Sequence, residues 1–89
     1  MKIIEGFKLR SLGKEFIVTG EGLAQVNFNK MASLNQSAAY LWQQVEGRDF
    51  TVEDLTDLLC EKYDVDRAVA AADAERLARS LVEAGIVSE

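Results

Sequence analysis

The sequence contains no histidine and only one cysteine, Cys60. Without histidine there is no imidazole for acid–base catalysis or metal binding, and an isolated thiol forms neither a disulfide nor a Cys–His nucleophile. No pair of carboxylates is flanked by the apolar residues that a catalytic acid requires. We therefore expect a protein that is not an enzyme and that uses no metal or other cofactor.

Long apolar runs are also missing. The longest stretch without a charged residue, residues 31–45, has 15 residues and includes six polar ones. A membrane-spanning helix needs about 20 mostly apolar residues. Charged residues also interrupt the first eight positions, so the apolar segment of a signal peptide is absent. These features predict a cytoplasmic protein that does not contact a membrane.

The chain has 89 residues, with 10 basic and 15 acidic side chains and a formal net charge of -5. A chain of this length has enough apolar residues for one small core, which predicts a single domain over residues 1–89. The charge is uneven, since residues 1–44 carry a net charge of +2 and residues 45–89 carry -7. The second half is therefore the acidic part of the protein.

Proline is absent, so glycine and helix-capping residues mark the turns. Apolar and polar residues alternate over residues 7–29, and glycines at 13 and at 20 and 22 divide this stretch into three strands. The last strand would span Ala24 to Phe28. The expected cross-strand pairs are Leu9–Val18 and Ser11–Phe16 at the first turn, then Val18–Ala24 and Phe16–Val26 at the second. One face of this meander is apolar and must be covered.

The rest of the chain has the periodicity of helices that cover this face. The expected first helix has a stripe from Leu34 to Val45 and a cap at either Ser33 or Asn35. Thr51 begins the second helix, which extends to about Tyr63. Asp64 or Asp66 caps a third helix that ends near Ala84, with Gly85 at its carboxyl end and residues 86–87 folding back. The predicted fold is α+β, a three-stranded antiparallel meander followed by three helices.

Two aromatic residues of the first helix have different expected roles. Trp42 lies on the apolar stripe and is expected in the core. Tyr40 points away from that stripe, so it is either an ordinary exposed aromatic side chain or part of a contact surface. Cys60 lies beside the stripe of the second helix and is interpreted as packing.

The last strand of the meander leaves one edge of the sheet open. Unpaired backbone groups at such an edge can accept a strand from another chain, and a neighbouring helix then adds side-chain selectivity. The alternative is that the edge is short and is protected by its polar residues Gln25 and Asn27.

Several short motifs, in order along nearly the whole chain, resemble the PqqD-like family, named for protein D of pyrroloquinoline quinone biosynthesis. They are Phe7-x-Leu9-Arg10-x-Leu12-Gly13, Leu34-Asn35 with Ala38, Leu41 and Trp42, Glu46-Gly47, Thr51-Val52-Glu53-Asp54-Leu55, Tyr63-x-Val65, and Leu77 and Leu81 before Gly85-Ile86-Val87. The resemblance implies a winged helix-turn-helix-like domain that binds the leader of a ribosomally synthesised precursor peptide. Such a domain presents the leader to a modifying enzyme, often a radical SAM protein.

In that family the leader adds as a fourth strand beside the third strand and packs toward the third helix. By position, the resemblance implies peptide contacts at Ala24, Gln25, Val26, Asn27, Phe28, Asp73, Arg76, Leu77 and Ser80. Arg76 and Arg79, one helical turn apart, are expected to meet acidic residues of the leader, while Leu77 accepts an apolar side chain.

Two other functions fit the same elements. A winged helix is also a DNA-binding fold, but the acidic second half argues against nucleic acid, and only the hairpin carrying Lys8, Arg10 and Lys14 is basic. A small adaptor that binds a folded protein through the same groove is the other alternative.

Overall fold

The computed structural model describes residues 1–20 and 31–89 of the chain. Within these residues the protein forms five strands and three helices. In chain order they are β1 (Lys2–Ile3), β2 (Phe7–Leu12), β3 (Glu15–Gly20), β4 (Met31–Leu34), α1 (Gln36–Val45), α2 (Val52–Lys62), α3 (Arg67–Glu83) and β5 (Val87–Ser88). The predicted α+β class, a three-stranded antiparallel sheet followed by three helices, is confirmed.

The first hairpin has the predicted register. Leu9 pairs with Val18 and Ser11 with Phe16 across antiparallel β2 and β3. Gly13 in the turn has φ 64°, a conformation that glycine adopts without the steric cost of a side chain. Alternation then directs Phe7 and Val18 to the interior, where they are 4% and 0% exposed.

The third strand of the sheet is not the one predicted. β3 pairs with β4, with Val18 opposite Ala32 and Phe16 opposite Leu34. The predicted pairs of Val18 with Ala24 and of Phe16 with Val26 are therefore wrong. The predicted strand at residues 24–28 itself lies outside the described residues.

Leu34 was expected on the stripe of the first helix, and it ends β4 instead. The reason is the helix cap. Of the two candidate caps, Asn35 is the one used: its backbone is extended, and its side-chain oxygen accepts the Ala38 N–H at 2.8 Å. The helix cannot begin before its cap, so the four preceding residues remain extended and pair with β3.

The other two helices begin and end close to the predicted residues. Thr51 and Asp54 form a reciprocal capping box at the start of α2. Asp66 is the N-cap of α3 but makes no side-chain capping hydrogen bond. At the end of α3, Gly85 has φ 78°, and the Gly85 and Ile86 N–H groups donate to the Val82 and Leu81 carbonyls. This is a Schellman motif.

The two ends of the chain meet in a second small sheet that the sequence pattern does not predict. Ile3 of β1 pairs with Val87 of β5. The Ile4 N–H also donates to the Ile86 carbonyl at 2.9 Å. The expected folding back of residues 86–87 is thus confirmed, with β1 as the partner.

The core lies between the inner face of the three-stranded sheet and the three helices. Its buried side chains include Phe7, Val18, Leu34, Leu41, Trp42, Val45, Phe50, Leu55, Leu59, Leu81 and Ile86. Three alanines of α3, at positions 70, 74 and 78, let this helix approach the others closely. Within the described residues no helix is long and apolar enough to cross a membrane.

The capping box of α2 provides a test of local stability. Thr51→Ala is expected to lower the free energy of unfolding by about 1 kcal/mol, because the Asp54 N–H loses its acceptor. Asp66→Ala is the matched control, since Asp66 caps α3 without a side-chain hydrogen bond, and it should cost less than about 0.5 kcal/mol. Urea unfolding measures both, and equal losses would contradict this account of the cap.

Candidate functional site

A groove with a volume of about 380 Å³ lies between β4 and α3. All three helices and β4 contribute to it. Its lining residues are Ala32, Ser33, Leu34, Asn35, Ser37, Ala38, Leu41, Leu59, Asp73, Arg76, Leu77, Ser80 and Leu81. The groove therefore runs beside a strand of the sheet and is closed on the other side by a helix.

The floor of the groove is apolar and its rim is polar. Leu34, Leu41, Leu59 and Leu81 are between 2% and 8% exposed, so they form a floor that belongs to the core. Exposed polar side chains, including Ser33, line the rim. An apolar floor with a few polar groups at its margin is the usual composition of a binding groove in proteins.

The α3 side of the groove contains all four helix residues that the family resemblance implied. Asp73, Arg76, Leu77 and Ser80 follow the three- and four-residue spacing of one helix face, and each lines the groove. Arg79 does not. It lines a separate depression with Met1 and Val52. Of the two arginines expected to meet a leader, only Arg76 is at the groove.

Charge at the groove is concentrated in one exposed pair. The Arg76 Nη1 atom lies 3.3 Å from the Asp73 Oδ1 atom, and their side chains are 75% and 55% exposed. An ion pair this exposed adds little to stability, so both groups can exchange partners at small cost. The groove can therefore offer one cation and one anion to a ligand.

Strand β4 forms the opposite wall and is at the edge of the sheet. In the strand order β2-β3-β4, one side of β4 pairs with β3, and the other side has no partner strand within residues 1–20 and 31–89. Successive residues of a strand direct their N–H groups to opposite sides. Ala32 and Ser33, which line the groove, therefore direct one N–H toward β3 and one toward the open edge.

Residues 31–34 were not predicted as the edge strand because an earlier segment competed for that position. The alternation of Ala24, Val26 and Phe28 is a stronger strand pattern than the sequence Met-Ala-Ser-Leu of residues 31–34. Choosing Asn35 as the only helix cap would have left residues 31–34 available for a strand. The five implied contact residues at 24–28 lie outside the described part of the chain.

The aromatic side chains of α1 have separate environments. Trp42 is 2% exposed, which confirms its predicted place in the core. Tyr40 is half-buried and packs edge-on against Tyr63, with ring centroids 6.4 Å apart. The Lys62 Nζ atom lies 5.3 Å from the centroid of the Tyr40 ring.

Ionic contacts on α3 extend beyond the groove. Arg67 pairs with Asp57 of α2 at 2.8 Å, and the hydrogen bond from Arg67 to this carboxylate raises the pKa of Arg67 above its usual value. Arg79 pairs with Glu75 at 2.7 Å. No cluster of potential metal ligands occurs among the described residues.

Comparison with known proteins identifies the family. No curated protein sequence matches this chain. The solved structure of "TbiB1 in Complex with the TbiA(beta) Leader Peptide" has a TM-score of 0.73 and 18% sequence identity, and the match covers 100% of each chain. At this identity the similarity shows a shared fold. The sequence model of the family described as Coenzyme PQQ synthesis protein D (PqqD) matches residues 14–87, so the chain belongs to the PqqD family.

Proposed function

We propose that this protein binds the leader segment of a ribosomally synthesised precursor peptide and presents it to a modifying enzyme. The observation that carries the proposal is the position of the groove. A strand edge without a partner among the described residues forms one wall, and the apolar floor lies directly beside it. An extended peptide placed there would satisfy backbone groups on one side and bury side chains on the other.

Backbone pairing would provide most of the attachment. Four residues of β4 span about 13 Å, which allows two outward-facing residues to form main-chain hydrogen bonds with a guest strand. These bonds do not depend on the sequence of the peptide. Alternate side chains of the guest would point into the groove, where Leu77 is half-buried and available to an apolar side chain.

Family membership supports this proposal, and so does the fold shared with TbiB1, whose structure was solved with a leader peptide. The modifying enzyme that would receive the peptide is proposed to be of the radical SAM type, as the family resemblance implies. The protein itself would act without catalysis, in the cytoplasm. Its contribution is to hold the peptide extended.

The charges on α3 make DNA binding a weaker proposal. A helix that reads DNA presents unpaired basic side chains to phosphates and bases. All three arginines of α3 instead form ion pairs with carboxylates, at distances of 2.7 to 3.3 Å. These exposed pairs are weak, so the main argument is the net charge of -7 on residues 45–89, which repels phosphates.

The proposed function is tested with synthetic peptides that correspond to the amino-terminal segments of short reading frames next to the gene. Calorimetric titration of the purified protein should reveal one such peptide that binds in a 1:1 complex. Its affinity should change little between 50 and 200 mM salt, whereas binding to phosphates would weaken steeply. Failure of every such peptide, together with salt-sensitive binding to duplex DNA, would contradict the proposal.

Arg76 and Arg79 form a matched pair for measuring side-chain selectivity. Both are exposed, and each pairs with a carboxylate of α3, but only Arg76 lines the groove. Arg76→Ala is expected to weaken the binding of an acidic leader by about two- to fivefold, the range of an exposed ion pair. Arg79→Ala should leave the dissociation constant unchanged. Equal effects of the two substitutions would show that the selectivity lies outside the groove.

A further inference from the structure

An aromatic ledge is formed by Tyr40 of α1 and by Lys62 and Tyr63 at the end of α2. The two tyrosine rings meet edge-on, and the Lys62 ammonium lies over the Tyr40 ring. Tyr40 and Tyr63 are half-buried against the core, while Lys62 is exposed. The ledge therefore offers a fixed apolar surface with a positive charge at its margin.

Helix geometry places the ledge next to the groove. The Tyr63 N–H donates to the carbonyl of Leu59, so Tyr63 lies one helical turn beyond a residue of the groove floor. Tyr40 similarly lies three residues after Ser37, which is on the groove rim. Tyr63 is therefore about 5 Å along the helix axis from a residue that lines the groove.

The first turn of α3 has an exposed apolar residue on the side that faces the groove. Val69 is one turn before Asp73 on the groove-facing side of α3, and it is 52% exposed. Since α2 ends at Lys62 and α3 begins at Arg67, the end of one helix and the start of the other lie together. Val69 is thus an exposed apolar residue beyond the groove, close in the chain to the end of α2.

The charged group of Lys62 has a different kind of partner from the arginines of α3. Arg67, Arg76 and Arg79 each have a carboxylate partner. Lys62 has no carboxylate within 4.0 Å among the residues that the structure describes, and its ammonium group contacts an aromatic ring instead. In a half of the chain with a net charge of -7, this is a position where an incoming carboxylate would meet an available cation.

We propose that the aromatic ledge binds the part of the same peptide that leaves the groove, and that it selects an acidic residue next to an apolar or aromatic one. The apolar side chain packs on the tyrosine rings, and the carboxylate pairs with Lys62. This inference rests on the proposed function, because it assumes that a peptide occupies the groove. It adds a second contact beyond the added strand, and with it a preference in peptide sequence.

A displayed library of random 16-residue peptides tests the ledge without knowledge of the natural peptide. Selection is carried out against the wild-type protein, Lys62→Glu and Lys8→Glu. Lys8 is an exposed lysine on β2, outside both the groove and the ledge, so the control makes the same charge change elsewhere. Thermal melting of each variant verifies that it is folded.

Wild type and Lys8→Glu should enrich peptides with Asp or Glu at a fixed distance from an apolar strand-forming segment. Lys62→Glu should instead enrich peptides that have Lys or Arg at that position. For one enriched peptide, Lys62→Gln should weaken binding about two- to fivefold, and changing the peptide's acidic residue to its amide should then have no further effect.

The other outcomes separate the two proposals. Loss of capture by the Leu77→Asp variant identifies peptides that need the groove. If such peptides show no acidic preference, the proposal for the ledge is overturned and the proposed function still stands. The same result follows if Lys62→Glu enriches the same sequences as wild type. If the wild-type protein enriches no peptide at all, both proposals are overturned.

Discussion

Trp42→Ala is expected to lower the free energy of unfolding by about 3–5 kcal/mol. Trp42 is 2% exposed and is among the largest fully buried side chains of the described residues. It belongs to the same buried cluster as Leu41, Phe50 and Leu55. Because small domains are stable by only about 5–15 kcal/mol, the variant should be unfolded in a large part of the population or melt far below wild type.

Trp42→Phe is the control for this substitution. The Trp42 Nε1 atom is buried and has no hydrogen-bond partner among the described residues. Phenylalanine retains most of the ring and removes this unsatisfied donor. Trp42→Phe should therefore lower the free energy of unfolding much less than Trp42→Ala. Urea unfolding of both variants measures the difference. Unchanged melting of Trp42→Ala would show that the core is not centred on this residue.

Proline substitutions at Ala32 and Ser33 are expected to have opposite effects on stability and on peptide binding. Proline lacks the backbone N–H, and neighbouring residues of β4 direct their N–H groups to opposite sides. At one position proline removes a bond to β3 and destabilises the fold. At the other it removes the donor that a guest strand would use, and peptide binding should weaken about tenfold or more.

The two proline variants serve as controls for each other. Thermal melting identifies the variant that loses the bond to β3, and calorimetric titration with a leader peptide then measures binding by the stable one. A stable proline variant that binds the peptide as tightly as wild type would show that the peptide does not pair with β4.

Local signals in the sequence were sufficient for the features that depend on neighbouring residues. The two-residue turn at Gly13 fixed the register of the first hairpin, and Thr51 with Asp54 marked the start of α2. Gly85 marked the end of α3 because its positive φ favours glycine. Each of these features is determined within about four residues, so periodicity and capping rules can predict it.

Features that depend on distant parts of the chain were not predictable in this way. The pairing of β3 with β4 depends on which of two alternating segments reaches the sheet, and the pattern at residues 24–28 was stronger than that at residues 31–34. The pairing of β1 with β5 joins residues more than 80 positions apart through two-residue strands. Strands this short have no detectable periodicity.

The residues of the candidate site fall into the same two groups, those that the sequence predicts and those that depend on packing. The family resemblance implied Asp73, Arg76, Leu77 and Ser80, and helix spacing places them on one face. Ala32, Leu59 and the pairing of Tyr40 with Tyr63 were not predicted, because they depend on how α1 and α2 pack beside β4. Sequence therefore identified one wall of the groove, and the fold was required for the other wall and the floor.

Amide chemical shifts recorded while a binding leader peptide is titrated into the isotope-labelled protein test strand addition most directly. The account predicts large shifts and slowed hydrogen exchange at Ala32 and Ser33, with further shifts along Asp73 to Ser80. The hairpin that carries Lys8, Arg10 and Lys14 should show little change. Shifts concentrated in that hairpin, with β4 and α3 unaffected, would contradict the proposed binding surface.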